Sequence, residues 1–375
     1  MPWRTPDSLP SRAHTVACQM LDLTQITIRG TAAEMGRSHG EQLREPIRAF
    51  VAQRMDAARA YLAERGVGDH DAFLALGRKC LIALKAWDSE GWTEHVATAE
   101  AAGLDPVALY TAGNMTDVRD ILLLPAPVAD AEGCSAVLLP PASTTSRDII
   151  AAQTWDLNPG DLEFVVAVHR QPAAGHHTWS VTCAGCPSLI GMNDAGLAVG
   201  TTNIKTHGSR VGIPYLSILH RAIRCSNVKE ATTVIEKCHR AAAHTYWVAD
   251  RHHATQWECT AHSAVRRDLH DVPIVQTNHC QVPAHQTLEG EPASPSSRAR
   301  LARLAALVAH GKQDVDSVRR AFADRSDGVD SISRLAEDAQ GTSTNACLIA
   351  VPARRELHAC RGGADRGRWV KLGFS

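Results

Sequence analysis

The chain has 375 residues, with 39 Lys and Arg against 40 Asp and Glu, 44% hydrophobic and 21% charged. This composition excludes the disordered and fibrous classes, and the length allows one large or two modest domains with a sizeable core. A formal charge of −1 gives no overall field toward nucleic acid or anionic lipid, so neither is an expected partner and small molecules are.

The first ten residues lack the apolar core of a secretory signal, and the longest apolar run, at 121–128, is short and broken by Pro125 and Pro127. No membrane anchor is expected. Eleven cysteines, scattered from Cys18 to Cys360, lack the regular spacing of a disulfide scaffold. Together these features predict a cytoplasmic protein that folds without disulfides.

A short strand is predicted at 25–29, then one long helix at 31–62 with apolar residues at Met35, Leu43, Ile47, Val51 and Met55. Thr31 with Glu34 reads as a capping box. Further helices follow at 71–87 and 93–102, and Asp105-Pro106 opens another near Leu109. From Cys134 the pattern turns to strands, at 136–139, 149–154, 163–169 and 178–183, then a hairpin at 189–202 turning on Asn193 to Gly196. Helices at 213–225 and 228–239 precede strands at 246–249, 255–260 and 274–277. A polar loop at 285–297 then feeds a helix at 297–310, with another at 315–323 and closing strands at 346–351, 356–360 and 369–374. Two β-rich groups, each with a helix pair, predict an α+β fold of two stacked sheets with helices outside, a four-layer αββα sandwich.

Cys134 lies where the helical region gives way to strands, directly after Gly133. Cleavage of the Gly133-Cys134 bond would make it an N-terminal residue carrying both a thiol and an α-amine. An α-amine, with an ordinary pKa of about 7.7 to 8.0, can take the thiol proton directly or through water.

Three ordered motifs extend this reading: Gly133-Cys134-Ser135-Ala136, Gln153-Thr154-Trp155-Asp156 and Gln276-Thr277-Asn278-His279. With Arg29-Gly30-Thr31, Gly36, His39-Gly40, Gly113-Asn114 and Arg119 upstream, the chain resembles the acyl-coenzyme A:6-aminopenicillanic acid acyltransferase family of N-terminal-nucleophile hydrolases. The resemblance implies a mainly helical propeptide at 1–133 and a nucleophile-bearing chain at 134–375, intertwined in one domain. It implies Cys134 as nucleophile, Asp156 as a carboxylate orienting the new amine, and Asn278 as an oxyanion donor. Trp155 and Ser135 would contact substrate. Ser135 and Thr154 depart from the family's Thr and Asn, and the turn at 140–148 is longer than the family pattern.

The implied reaction passes an acyl group through a Cys134 thioester to water or to an amine, on linear amides of small acylated amines or amino acids. An acyl-coenzyme A-dependent N-acyltransferase is the alternative, with coenzyme A as substrate and no resident cofactor. The partners implied are the cleaved N-terminal fragment and, beyond it, a second copy. An inactive binding protein of the same fold is the third reading. Structural roles stand beside each site residue: Cys134 as a small buried hydrophobe, Asp156 as a turn cap, Asn278 as a partner for buried backbone.

The competing chemistry is zinc, at Cys183-Ala184-Gly185-Cys186 and His176-His177. One Cys-x-x-Cys without a second, and no His-Glu-x-x-His, leaves the expectation at no metal. No phosphate-binding glycine loop is present.

Overall fold

The computed structural model describes residues 20–66, 69–123, 133–289, 293–339 and 341–374. The stretch read for a secretory signal, most of the 121–128 run, the residues just before Gly133 and Pro292 of the polar loop lie outside them. No helix among the described residues is long and apolar enough to cross a membrane.

The N-terminal part holds β1 (Thr24–Gly30) and six helices: α1 (Ala32–Gln42), α2 (Arg44–Arg65), α3 (His70–Trp87), α4 (Ser89–Ala102), α5 (Pro106–Gly113) and α6 (Met115–Leu123). Thr31 caps α1 in the predicted box with Glu34, and Asp105 caps α5. The single helix expected at 31–62 is two. Leu43 leaves helical geometry at φ −120°, ψ 27°, and Pro46 has no N–H to offer the carbonyl of Gln42, so the ladder breaks there. Helix α6 was not read from the sequence, since its apolar residues merge with the run that follows.

After residue 132 come β2 (Gly133–Leu139), β3 (Ile150–Leu157), β4 (Val165–Pro172), β5 (Thr178–Cys183), β6 (Ile190–Asn193) and β7 (Ala198–Asn203). Helices α7 (Tyr215–Ala222) and α8 (Val228–Lys237) lead to β8 (His244–Ala249), β9 (Ala254–Cys259), β10 (Ala264–Asp268) and β11 (Ile274–Gln276). The chain closes with α9 (Pro283–Gln286), α10 (Pro295–Ala309), α11 (Val315–Phe322), β12 (Ser343–Val351), β13 (Glu356–Arg361) and β14 (Val370–Leu372). Strand β10 escapes the sequence pattern because it is an edge strand with mostly exposed residues and no apolar alternation.

One sheet runs β1-β4-β5-β6-β7-β8-β9-β10 and the other β11-β2-β3-β12-β13-β14. Strand alternation decides what each face meets. On β2 and β3, Cys134, Ala136, Leu138 and Ala151 join the core that also holds Val199 and Trp247 of the facing sheet. Val137, Leu139, Ile150 and Ala152 pack the other way, onto Leu304, Val308 and Phe322 of α10 and α11. Helices α7 and α8 cover the outer face of the larger sheet. The expected four-layer α+β sandwich is present, although β2 and β3 pair with the last strands of the chain and not with β4.

The N-terminal part is more than a helical appendage. Strand β1 is hydrogen-bonded parallel to β4 over seven residue pairs, so residues on both sides of position 133 build one sheet. Buried charges reinforce the junction. Arg54 holds Asp161 through two bonds of 2.9 and 2.7 Å, and Arg170 donates to Glu94 at 2.7 Å with His220 3.5 Å from the same carboxylate. Those neighbouring positive groups hold the Glu94 carboxyl well below the usual range against the opposing effect of burial.

Removing one partner of such a pair leaves the other charge buried and uncompensated. Glu94→Ala should therefore destabilise the fold by about 3 to 5 kcal/mol, measured by urea denaturation of the full chain. A loss under about 1 kcal/mol would show that the Arg170 contact contributes little.

Candidate functional site

Cys134 is the second residue of β2, directly opposite Trp155 in the antiparallel pairing with β3, while Gly133 sits opposite Asp156. The nucleophile candidate and both motif residues on β3 are thus placed by one register. Gln153, two residues earlier, reaches across to the other sheet, where its Oε1 accepts from the Thr201 backbone N–H and the Trp247 indole.

Asn278 lies in the turn after β11. Its Oδ1 accepts the Cys134 backbone N–H at 2.7 Å and its Nδ2 donates to the Asn203 carbonyl at 3.0 Å. The turn itself is held by the start of α10: Ser297 Oγ accepts the Asn278 N–H, and Thr277 Oγ1 donates to the Ser297 carbonyl, both at 2.9 Å. One helical turn further on, fully buried Arg300 donates to the Cys134 carbonyl at 2.5 Å, to Asn278 Oδ1 at 3.0 Å and to Ser135 Oγ at 3.2 Å. Arg300 and Ser297 were missed in the sequence. A signal existed: with Leu304 and Val308 they fall on one stripe of α10, and a charged residue on that stripe needs an anionic or carbonyl-rich counterpart.

Asp156 is 1% exposed. Burial pushes its carboxyl up to about 6, opposed by the positive charges of Arg300 and Arg334 and by the hydroxyls of Thr344 and Thr154. Neither carboxyl oxygen meets a donor in good hydrogen-bond geometry among the described residues. The same burial lowers Arg300 to about 10, with Asp156 counteracting it. Gly133 fits between these groups only because it has no side chain: a Cβ there would lie 2.8 Å from Arg334 Nη1 and 2.9 Å from Asp156 Oδ2.

A pocket with an empty volume of about 350 Å³ opens on Cys134, with Trp155, Asn203, Tyr215 and His244 among its walls. Ser135 is not among them. Its side chain lies on the opposite face of β2, and its N–H donates to Thr154 Oγ1 at 3.0 Å. Thr116 and Leu157 also line a second, larger chamber of about 910 Å³, bounded by Ala58, Tyr61, Leu62, Phe73 and Met115. Most of its apolar wall comes from residues before position 133.

A family profile, acyl-coenzyme A:6-aminopenicillanic acid acyl-transferase, matches residues 143–366. The chain belongs to this family. The match covers Asp156 and Asn278 and begins after Cys134. A relative from Emericella nidulans, the acyl-coenzyme A:6-aminopenicillanic-acid-acyltransferase 40 kDa form, is 23% identical over 288 residues, 75% of this chain and 77% of that protein. Among solved structures, penicillin V acylase from Agrobacterium tumefaciens aligns at TM-score 0.42 and 13% identity, over 64% of this chain and 86% of its own. The Caenorhabditis elegans ortholog of N-acylethanolamine-hydrolyzing acid amidase gives TM-score 0.43 and 13% identity, over 64% and 100%. Membership in the acyltransferase family makes this chain an enzyme of acyl-group transfer.

Cys183 and Cys186 flank a tight turn in which Gly185 takes φ +79°. Both are buried, and burial pushes the Cys186 thiol up to about 12. Among the described residues no group of three or more His, Cys, Asp or Glu is placed to hold a metal ion.

The raised Asp156 carboxyl has a thermodynamic consequence. Between about pH 4 and pH 6 the folded chain holds a proton there that the unfolded chain has released, so this group's contribution to stability falls as pH rises through that window. Asp156→Asn should flatten that part of the profile of thermal midpoint against pH. An unchanged profile would place the titration elsewhere.

Proposed function

We propose that the chain is a self-processing cysteine N-terminal-nucleophile amidohydrolase acting on linear amides of small acylated amines or amino acids. The observation that carries this reading is the 2.7 Å bond from the Cys134 backbone nitrogen to Asn278 Oδ1. Cutting the Gly133-Cys134 bond turns that nitrogen into an α-amine already held by an acceptor.

Processing would begin with Cys134 Sγ attacking the Gly133 carbonyl carbon. A C–S bond forms, the C–N bond breaks, and the nitrogen leaves as the Cys134 amine with a proton from the thiol. Water then hydrolyses the thioester, giving the Gly133 carboxyl group and restoring the thiol. Gly133, pressed against Asp156 and Arg334, brings its carbonyl close to that charge pair. The products are chains of 133 and 242 residues.

In turnover the α-amine takes the thiol proton, Cys134 attacks the substrate acyl carbon, and the amine returns the proton to the departing nitrogen. Asn278 has one amide N–H on Asn203 and a second available for an oxyanion. Its first task is holding the Cys134 nitrogen; donating to the oxyanion is its second. The apolar chamber beside Thr116 and Leu157 suits the acyl group, which explains why the N-terminal part must stay attached. Transfer from an acyl-coenzyme A to an amine is the second reading, favoured by the acyltransferase named in the family and in the Emericella relative.

Denaturing mass spectrometry of the purified protein should show a new N-terminus at Cys134. Cys134→Ala should abolish both that cut and turnover, and normal fragments in this variant would refute the assignment. Asn278→Ala should fold but lose turnover by about 10² to 10³. A rate near wild type would make Asn278 a structural residue.

A further inference from the structure

The pocket around Cys134 contains an ionisable pair that the proposed processing and turnover leave unused. His244, on β8, is 2% exposed and lines that pocket. Its Nε2 lies 2.7 Å from Oδ1 of Asp117 on α6, which is itself 1% exposed. The other oxygen of Asp117 accepts the Tyr215 backbone N–H at 3.0 Å, at the first residue of α7. The Tyr215 ring lies flat on the imidazole, with centroids 4.5 Å apart and planes inclined by 19°. Ring position and orientation are therefore fixed from two directions.

An aspartate oxygen facing Nε2 keeps the ring proton on that nitrogen, which leaves Nδ1 as the acceptor. Nδ1 is buried and has no hydrogen-bond partner among the described residues. A buried polar atom left unpaired costs about 1 to 3 kcal/mol. Such a cost is tolerated where a ligand completes the bond. The donor that a cysteine acyl-transfer pocket receives beside its nucleophile is the N–H of the amide being cleaved.

We propose that His244 is the residue that recognises the amine side of the substrate: its Nδ1 accepts the N–H of the scissile amide, with Asp117 fixing the tautomer. This rests on Cys134 being the nucleophile. The substrate class narrows accordingly, to secondary amides, whose nitrogen keeps one hydrogen. Esters of the same acyl group lack that donor and forgo the bond.

The test compares p-nitrophenyl hexanoate with hexanoyl p-nitroanilide, which share an acyl group and differ in the N–H. The quantity read is the ratio of kcat/KM for the anilide to that for the ester. His244→Phe keeps a ring against Tyr215 and removes the acceptor, so the ratio should fall by about tenfold or more, the value of one hydrogen bond. Asp117→Asn should lower it too, because an amide N–H facing Nε2 moves the ring proton to Nδ1, the tautomer error expected when such an aspartate is neutralised. His244→Gln, which restores an acceptor, should recover part of the ratio. Equal losses on both substrates, an unchanged ratio, or loss of all ester reaction in the three variants would each overturn the proposal and make the pair structural. The nucleophile is checked separately by mass: acylation of wild-type Cys134 by the ester, seen as a hexanoyl adduct, must be present, and its absence would overturn the nucleophile assignment and this inference together.

Discussion

The fully buried guanidinium of Arg300 is the contact on which the site depends. It has no solvent to satisfy its donors, so the surrounding structure must supply acceptors, and it does so with the Cys134 carbonyl, Asn278 Oδ1, Ser135 Oγ and Ser296 Oγ. The Asp156 carboxylate balances its charge at longer range. Satisfying one cation in this way fixes the start of β2, the turn after β11 and the first turns of α10 relative to one another. The electrostatics are mutual. The pressure that raises the Asp156 carboxyl also lowers Arg300, and each limits the shift of the other.

Much of the scaffold was legible because it rests on local rules. The Thr31 to Glu34 box, the Asp105 cap and the hairpin turning at Gly196 (φ +83°) are short-range features, and each is where the sequence placed it. The break at Leu43 was equally local, written in Pro46, but the apolar periodicity running through it concealed it. Pairing β2 and β3 with β11 and β12 is different. It joins residues more than a hundred positions apart, and no local pattern announces that choice over pairing with β4.

The candidate site divides along the same line. Cys134, Asp156 and Asn278 stood out because short motifs surround them, and the structure gathers them at the meeting of β2, β3 and the turn after β11. Ser135 was grouped with the pocket through its place next to Cys134, yet alternation along β2 turns it toward Arg300. His244 and Asp117 were invisible to motif reading. They are separated by 127 positions, and only the packing of α6 against β8 and α7 makes them a pair.

Strand β1 carries a consequence for the enzyme's life after a cut at Gly133. Before it, β1 and β4 belong to one covalent chain, and forming their parallel ladder is an intramolecular event whatever the dilution. Afterwards the same ladder joins two molecules, and once they separate, reassembly becomes a second-order process that slows on dilution. An exposed β4 edge would meanwhile offer unpaired backbone groups to any other strand. A precursor that recovers from brief unfolding would thus give rise to an enzyme whose persistence depends on never letting the shorter chain go.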